Sequence, residues 1–331
     1  MSVNHPAAGV TYVRGLFSCV WRQTVNSNSM TLRSELPGDE DAIDFVVCRA
    51  FGSMNEAHLV RMLRETYSEF DPRFSVVACD GDQVVGHALF TPARIRLMDE
   101  TVDGLALGPI GVLPERQRQG IGGRMIRFGH GLGERLGFAA AFLAGHPSYY
   151  PQHGYRACFG FSKITIDAEK LPAPEQKLSV WPVTRDDLPW LRECQAREWA
   201  DVDLAWMWGE ALSDWVLPGT NTVIWRTDDG RRAGFTLRRL DKSYDYLLAD
   251  DPTLARDLIA TIKPEKLAHH PRGWLARNVL DPAWGTAEAK VSGAAMACEL
   301  QPGALDAYVA AVESGERLPG CVNWPLPFAA C

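Results

Sequence analysis

Apolar and polar positions along the chain alternate between two periods, one near two and one near 3.6. Residues 31–36 alternate and predict a short strand, and Pro37-Gly38-Asp39 supplies a turn and a helix start. A helix is predicted from there to about Phe51, and a second over 55–69, where Leu59, Met62, Leu63 and Tyr67 recur at helical spacing. Residues 74–79 and 84–90 flank Asp80-Gly81-Asp82 and read as a hairpin. A strand is predicted over 105–112, followed by a glycine-rich loop. The helix after it runs to about Leu136, with Met125, Ile126, Leu132 and Leu136 facing inward. A buried strand over 138–144, a turn over 146–153 and a strand near 159–166 complete this part.

Residues 167–177, with two prolines and five charges, read as a linker. Beyond it the order partly repeats. A strand is predicted over 178–183, helices over 186–199 and 204–215, strands over 222–226 and 233–237 around Asp228-Asp229-Gly230, a strand over 244–249 and a helix over 254–262. The expected division is a loose extension over 1–29, a first domain over 30–166, the linker, and a second domain over 178–331. At about 150 residues per domain, the length of 331 residues agrees.

Composition, 46% hydrophobic and 23% charged, excludes disorder and coiled coil. The net charge of −7 and the lack of a basic run argue against nucleic acid as a partner. No run of about 18 apolar residues suggests a membrane span. The eight cysteines are scattered without a C-x-x-C pair, as expected of free thiols in a cytoplasmic protein. His269-His270 has no cysteine or second histidine pair nearby, so no metal is expected. Ten of the eleven tryptophans lie at or beyond Trp181, which suits packing in a core or between the halves better than a substrate pocket.

The stretch that carries chemistry is Gln117-Arg118-Gln119-Gly120-Ile121-Gly122-Gly123, between a predicted strand and a predicted helix. The first turn of a helix has unpaired N–H groups and the positive end of the dipole. Glycines let phosphate oxygens reach those amides, and Arg116 and Arg118 add positive charge. The spacing is neither G-x-x-x-x-G-K-[ST] nor G-x-G-x-x-G, which leaves ATP and dinucleotides out. In the second half, Asp250-Asp251-Pro252 stands at the corresponding place. Its carboxylates repel phosphate and Pro252 has no N–H, so only the first half is expected to hold such a ligand.

Val112-x-Pro114-x-x-Gln117-x-x-Gly120-x-Gly122 resembles the acetyl-coenzyme A motif of the GCN5-related N-acetyltransferase (GNAT) superfamily. Tyr149-Tyr150-Pro151-Gln152-His153-Gly154-Tyr155 resembles that superfamily's Y-x-x-x-G-F segment, with Tyr155 in place of Phe. The resemblance implies a mixed, mostly antiparallel α/β sheet flanked by helices, followed by a second, diverged domain of the same kind. It implies acetyl transfer from acetyl-coenzyme A to a primary amine, here of a small molecule. A protein or peptide amine, or a non-catalytic sensor of coenzyme A, are the alternatives. By resemblance the amides of 117–123 hold the diphosphate, and the backbone of Ile110, Gly111 and Val112 pairs with pantetheine. Tyr150 matches the tyrosine that protonates the leaving thiolate, with Tyr149 as the fallback. For the base the candidates are His87, His146, Glu100, Asp103 and the terminal carboxylate of Cys331. The last follows from a resemblance to the enhanced intracellular survival acetyltransferases, whose chain end reaches the active site. Substrate loops of this fold would lie near 51–56 and 91–103, and the second half would supply structure, substrate walls or a homodimer face.

Overall fold

Strand β3 (Met30–Ser34) buries every second residue, which places one face on the core and leads into two helices that cover it. The computed structural model describes residues 10–14, 19–24, 30–216, 221–238 and 244–323. Helices α1 (Glu40–Phe51) and α2 (Asn55–Thr66) follow β3, with Leu59, Leu63 and Tyr67 buried as their spacing predicts. Before β3, within the segment expected to be a loose extension, the backbone forms β1 (Val10–Arg14) and β2 (Cys19–Thr24). They pair antiparallel with each other, and β2 pairs with β3. Both segments carry Val together with Thr and an aromatic residue, which favour extended backbone.

The hairpin β4 (Ser75–Asp80) to β5 (Gln83–Leu97) forms where expected, but β5 runs seven residues past Phe90. It returns as β6 (Glu100–Val112), so the expected loop over 91–103 is instead the far end of a long hairpin. Pro92 lies inside this extended strand. It is tolerated because β4 ends opposite Leu89 and β11 (Leu204–Met207) begins opposite Arg94, which leaves one edge of β5 without a strand there. Helix α3 (Ile121–Leu136) buries Met125, Ile126 and Leu132 against the sheet. Leu136, expected inside, is 41% exposed, because Gly137 turns the chain away with a φ of +83°. Then come β7 (Ala140–Ala144), β8 (Arg156–Ala157) and β9 (Gly160–Ile166).

Residues 167–177 form no helix or strand. The second part contains β10 (Leu178–Pro182), α4 (Leu188–Glu198), β11, β12 (Asn221–Thr227), β13 (Arg232–Arg238), β14 (Tyr244–Leu248) and α5 (Pro252–Ile262). After these follow β15 (Lys266–Leu267), α6 (Trp274–Asn278), β16 (Gly285–Val291), β17 (Ala295–Glu299) and α7 (Asp306–Glu313). Its own sheet, β10-β12-β13-β14, repeats the antiparallel order β3-β4-β5-β6 of the first part. The helix expected over 204–215 is a correction. Residues 204–207 are β11, paired antiparallel with β5, and only Leu212–Asp214 turns helically. Asn323 holds β11 from the other side, accepting from Trp206 N at 2.7 Å and donating to Trp206 O at 2.9 Å. Such remote partners override the apolar spacing that suggested a helix.

The large sheet runs β1-β2-β3-β4-β5-β6-β7-β17-β8, with β11 on β5. Every pairing in it is antiparallel except β6 with β7. Strand β17, from near the end of the chain, sits between β7 and β8 and completes the first part's sheet. In return β9 pairs with β15 and β16. Trp199, Trp206, Trp208 and Trp215 are buried, so they pack cores as expected. No helix among the described residues is long and apolar enough to cross a membrane.

Candidate active site

Strands β6 and β7 are paired over just Gly104–Ala140, Leu105–Ala141 and Ala106–Phe142. Beyond Ala106 they part. On the β5 side of β6, Ala88 faces Ile110 and Phe90 faces Leu107, so Gly108 and Pro109 stand out of register. Pro109 also has no N–H to give to a neighbouring strand. The parting opens a cleft of about 1080 Å³. One wall is residues 106–112, the other is Ala144, Gly145, His146, Tyr149 and Tyr150, and Ala50, Phe51 and Leu59 of α1 and α2 close the third side.

At one end of the cleft lies the turn into α3. Its first helical bond runs from Arg124 N to Gly120 O at 3.1 Å, so the amides of 118–123 have no backbone acceptor among the described residues. Arg118 (φ +61°) and Gly120 (φ +73°) are both left-handed, a backbone form that turns successive N–H groups toward one concavity. Gln117 ties this loop to the strand end, donating from Nε2 to Val112 O at 3.1 Å. Arg116 pairs with Asp80 at 2.7 Å, so part of its charge is already matched, while Arg118 is exposed. Gln117, Arg118, Gly120, Ile121 and Gly122 line the cleft with Ile110, Gly111 and Val112; Gln119 and Gly123, expected beside them, do not line it.

The other wall carries the tyrosines. Tyr150 opens a 3-10 turn, Tyr150–His153, and its ring meets Tyr149 and Tyr155 edge-on at 5.1 and 5.8 Å. A Cβ on Gly145 would stand 2.4 Å from the Tyr150 ring, so the glycine makes room for it. Burial pushes the Tyr150 phenol up to about 12, which keeps it protonated at neutral pH. Tyr155, where the family segment has Phe, shares a hydrogen bond of 2.9 Å with His130.

The base candidates fall in different places. His146 lines the cleft and is exposed. His87 does not line it and is fully buried on the far side of the network Arg64–Glu35–Ser75. With Glu35 paired to Arg64 at 2.8 Å, Ser75 donates to Glu35, and His87 Nε2 therefore donates to Ser75 Oγ at 2.9 Å. Burial first, and Arg64 second, lower the His87 imidazole to about 3. Glu100 and Asp103 lie toward the hairpin end of β6 and line no part of the cleft. Cys331 lies outside the described residues. Among the described residues no carboxylate lines the cleft, and no group of three or more His, Cys, Asp or Glu is placed to hold a metal. Sequence reading missed the α1 and α2 wall of Ala50 and Leu59, since apolar helix residues carry no mark distinguishing a core from a cleft.

In the second part the corresponding strand β14 leads into α5. There Asp251 accepts from Thr253 N at 2.8 Å and Leu254 N at 3.1 Å, and Pro252 occupies the first helical position. The amides that could hold an anion are already capped by this carboxylate.

Residues 34–158 match the acetyltransferase (GNAT) domain family. Over 144 residues the chain is 38% identical to YjhQ of Escherichia coli, an uncharacterized N-acetyltransferase, spanning 43% of this chain and 77% of that one. A probable N-acyltransferase of Enterococcus faecalis has the same fold, with a TM-score of 0.62 at 14% identity over 84% of this chain and 74% of its own. Eis1 of Mycobacterium abscessus gives a TM-score of 0.56 at 17% identity over 84% and 76% of the two chains. With its sheet opened beside a glycine-rich turn and this likeness to YjhQ, the chain belongs to the GCN5-related N-acetyltransferases and is an acyltransferase of that family.

Proposed function

We propose that the first-part cleft binds acetyl-coenzyme A and that the chain acetylates a primary amine of a small molecule. The observation that carries this reading is the parting of β6 from β7 between a turn of unpaired amides and Tyr150. The diphosphate would lie on the amides of 118–123, and pantetheine would pair with Ile110–Val112 along the edge that β7 leaves uncovered, like an added strand. The amine nitrogen attacks the thioester carbonyl, the C–N bond forms, and the C–S bond breaks. The nitrogen loses one proton and the sulfur gains one. A phenol near 12 is a weaker acid than a thiol, whose usual value is about 8.5, so Tyr150 gives up its proton to sulfur only as another returns to its oxygen. His146, exposed on the same wall, would take the amine proton.

The second part, by this reading, binds no coenzyme and supplies walls and strands, above all β17. The test is calorimetric titration with acetyl-coenzyme A, with ATP and NAD as controls. Binding at one site per chain supports the reading. Two sites contradict the capped turn of α5, and no binding removes the proposal. An acceptor on a protein is separated by comparing initial rates on small amines and on lysine-containing peptides.

A further inference from the structure

Tyr149 and Tyr150 are neighbours in sequence and both line the cleft, but they lean on different elements. Tyr150 lies over Gly145, whereas Tyr149 reaches across to the first turn of α3. Its ring is held edge-on by Tyr150 at 5.1 Å and His153 at 5.0 Å between centroids, which blocks rotation on two sides. The hydroxyl ends 2.8 Å from the point where a Cβ on Gly122 would stand, while the ring carbon bearing it is 3.9 Å away. Among the described residues the Tyr149 hydroxyl has no hydrogen-bond partner. Burial raises the phenol, so at neutral pH it is a donor.

We propose, resting on the reading of the cleft as the acetyl-coenzyme A site, that the Tyr149 hydroxyl is a ligand of the coenzyme's diphosphate. It donates to a phosphate oxygen beside the amides of Gly120, Ile121, Gly122 and Gly123. An O–H donor to an ionised phosphate is of the stronger kind of hydrogen bond, and a ring locked by its neighbours loses little freedom in making it. Gly122 then acquires a second reason to be glycine, because the hydroxyl occupies the space of its side chain. The two tyrosines divide the cofactor, Tyr149 at the diphosphate and Tyr150 at the thioester.

The experiment is calorimetric binding of coenzyme A to the wild type, Tyr149→Phe, Gly122→Ala and the double variant. Loss of one charge-assisted hydrogen bond predicts about tenfold weaker binding for Tyr149→Phe. Gly122→Ala weakens binding in the wild type by displacing the hydroxyl. It costs nothing further in the Tyr149→Phe background, where the ring carbon left behind stands at ordinary contact distance. Pantetheine, which lacks the diphosphate and the 3′-phosphoadenosine beyond it, is measured as a competitor, and its inhibition constant should be the same for the wild type and Tyr149→Phe. Equal coenzyme affinity for the wild type and Tyr149→Phe overturns the assignment and leaves the cleft reading standing. So does a loss for pantetheine as large as that for coenzyme A, or an equal cost of Gly122→Ala in both backgrounds. A wild type that binds no coenzyme A overturns both.

Discussion

At the scale of single residues, environment separates groups that look equivalent in the sequence. His87 and His146 are both histidines near the central strands, yet one is sealed behind Ser75 and Glu35 and the other stands in the cleft. Tyr149 and Tyr150 are divided in the same way by Gly122 and Gly145. For Tyr150 the outcome is specific. Tyr150→Phe removes one donor at the cleft and leaves the turn of α3 untouched. Turnover should fall at least about a hundredfold, at the weak end of what a positioned proton donor contributes, while calorimetric affinity for acetyl-coenzyme A stays within about twofold. Unchanged turnover would show that the phenol takes no part. The glycine spacing and the tyrosines were legible because each belongs to a short local pattern. The burial of His87 was not, because its partners Glu35, Arg64 and Ser75 come from three separate elements.

At the scale of elements, glycines mark where segments touch. Gly160 is the tightest case. Its N–H donates to Gly320 O at 3.0 Å, its carbonyl accepts from Val322 N at 2.7 Å, and across β16 a Cβ would stand 1.9 Å from Lys290 O. The neighbour there is backbone and cannot turn aside. Gly160→Ala should therefore destabilise the fold by about 3 kcal/mol, the upper range for overpacking, read as a shift in the urea midpoint. A shift below about 1 kcal/mol would mean that β9 and β16 can part at little cost. Predicted elements matched best where the apolar period is local and ends at a left-handed glycine, as in α1 and α3, and failed where a remote strand decided the conformation, as in β11. Residues 93–97, expected to be a loop, alternate in burial as a strand should, because β11 and β6 flank them.

At the scale of the whole molecule, three buried histidines make acid the weak side of this fold. His87 is held at about 3, and His130 and His270 at about 4, in each case mainly by burial. His270 is fully satisfied when neutral: Nε2 donates to Pro319 O at 3.0 Å, and Nδ1 accepts from Arg272 N at 3.1 Å. In the unfolded chain all three return to about 6.5, so it binds more protons than the folded chain between about pH 6.5 and pH 4. Their contribution is complete above about pH 6.5 and is lost as pH falls through that window, on the order of 2 kcal/mol for each at pH 5 to 4. Urea unfolding at about pH 7.5 and about pH 4.5 checks this, and equal stability at both would contradict the buried neutral state. The tail that meets His270 also carries Cys321, Val322 and Asn323 into the contact between the two parts, so the same loss loosens the join.

What the sequence determined by itself is the local grammar. It contains the strand, the glycine turn and the helix that leave a run of amides unpaired, the Tyr-Tyr segment after the next strand, and the carboxylate and proline that cap the corresponding turn of the second part. These depend on neighbours within about fifteen residues, where spacing alone sets backbone form and free N–H groups. Tertiary structure decided the rest. It set which strand fills the gap between β7 and β8, which face of α1 and α2 closes the cleft, and which titratable side chains reach it. The first of these pairs strands more than a hundred residues apart, and all three join segments too distant in sequence for a local period to encode.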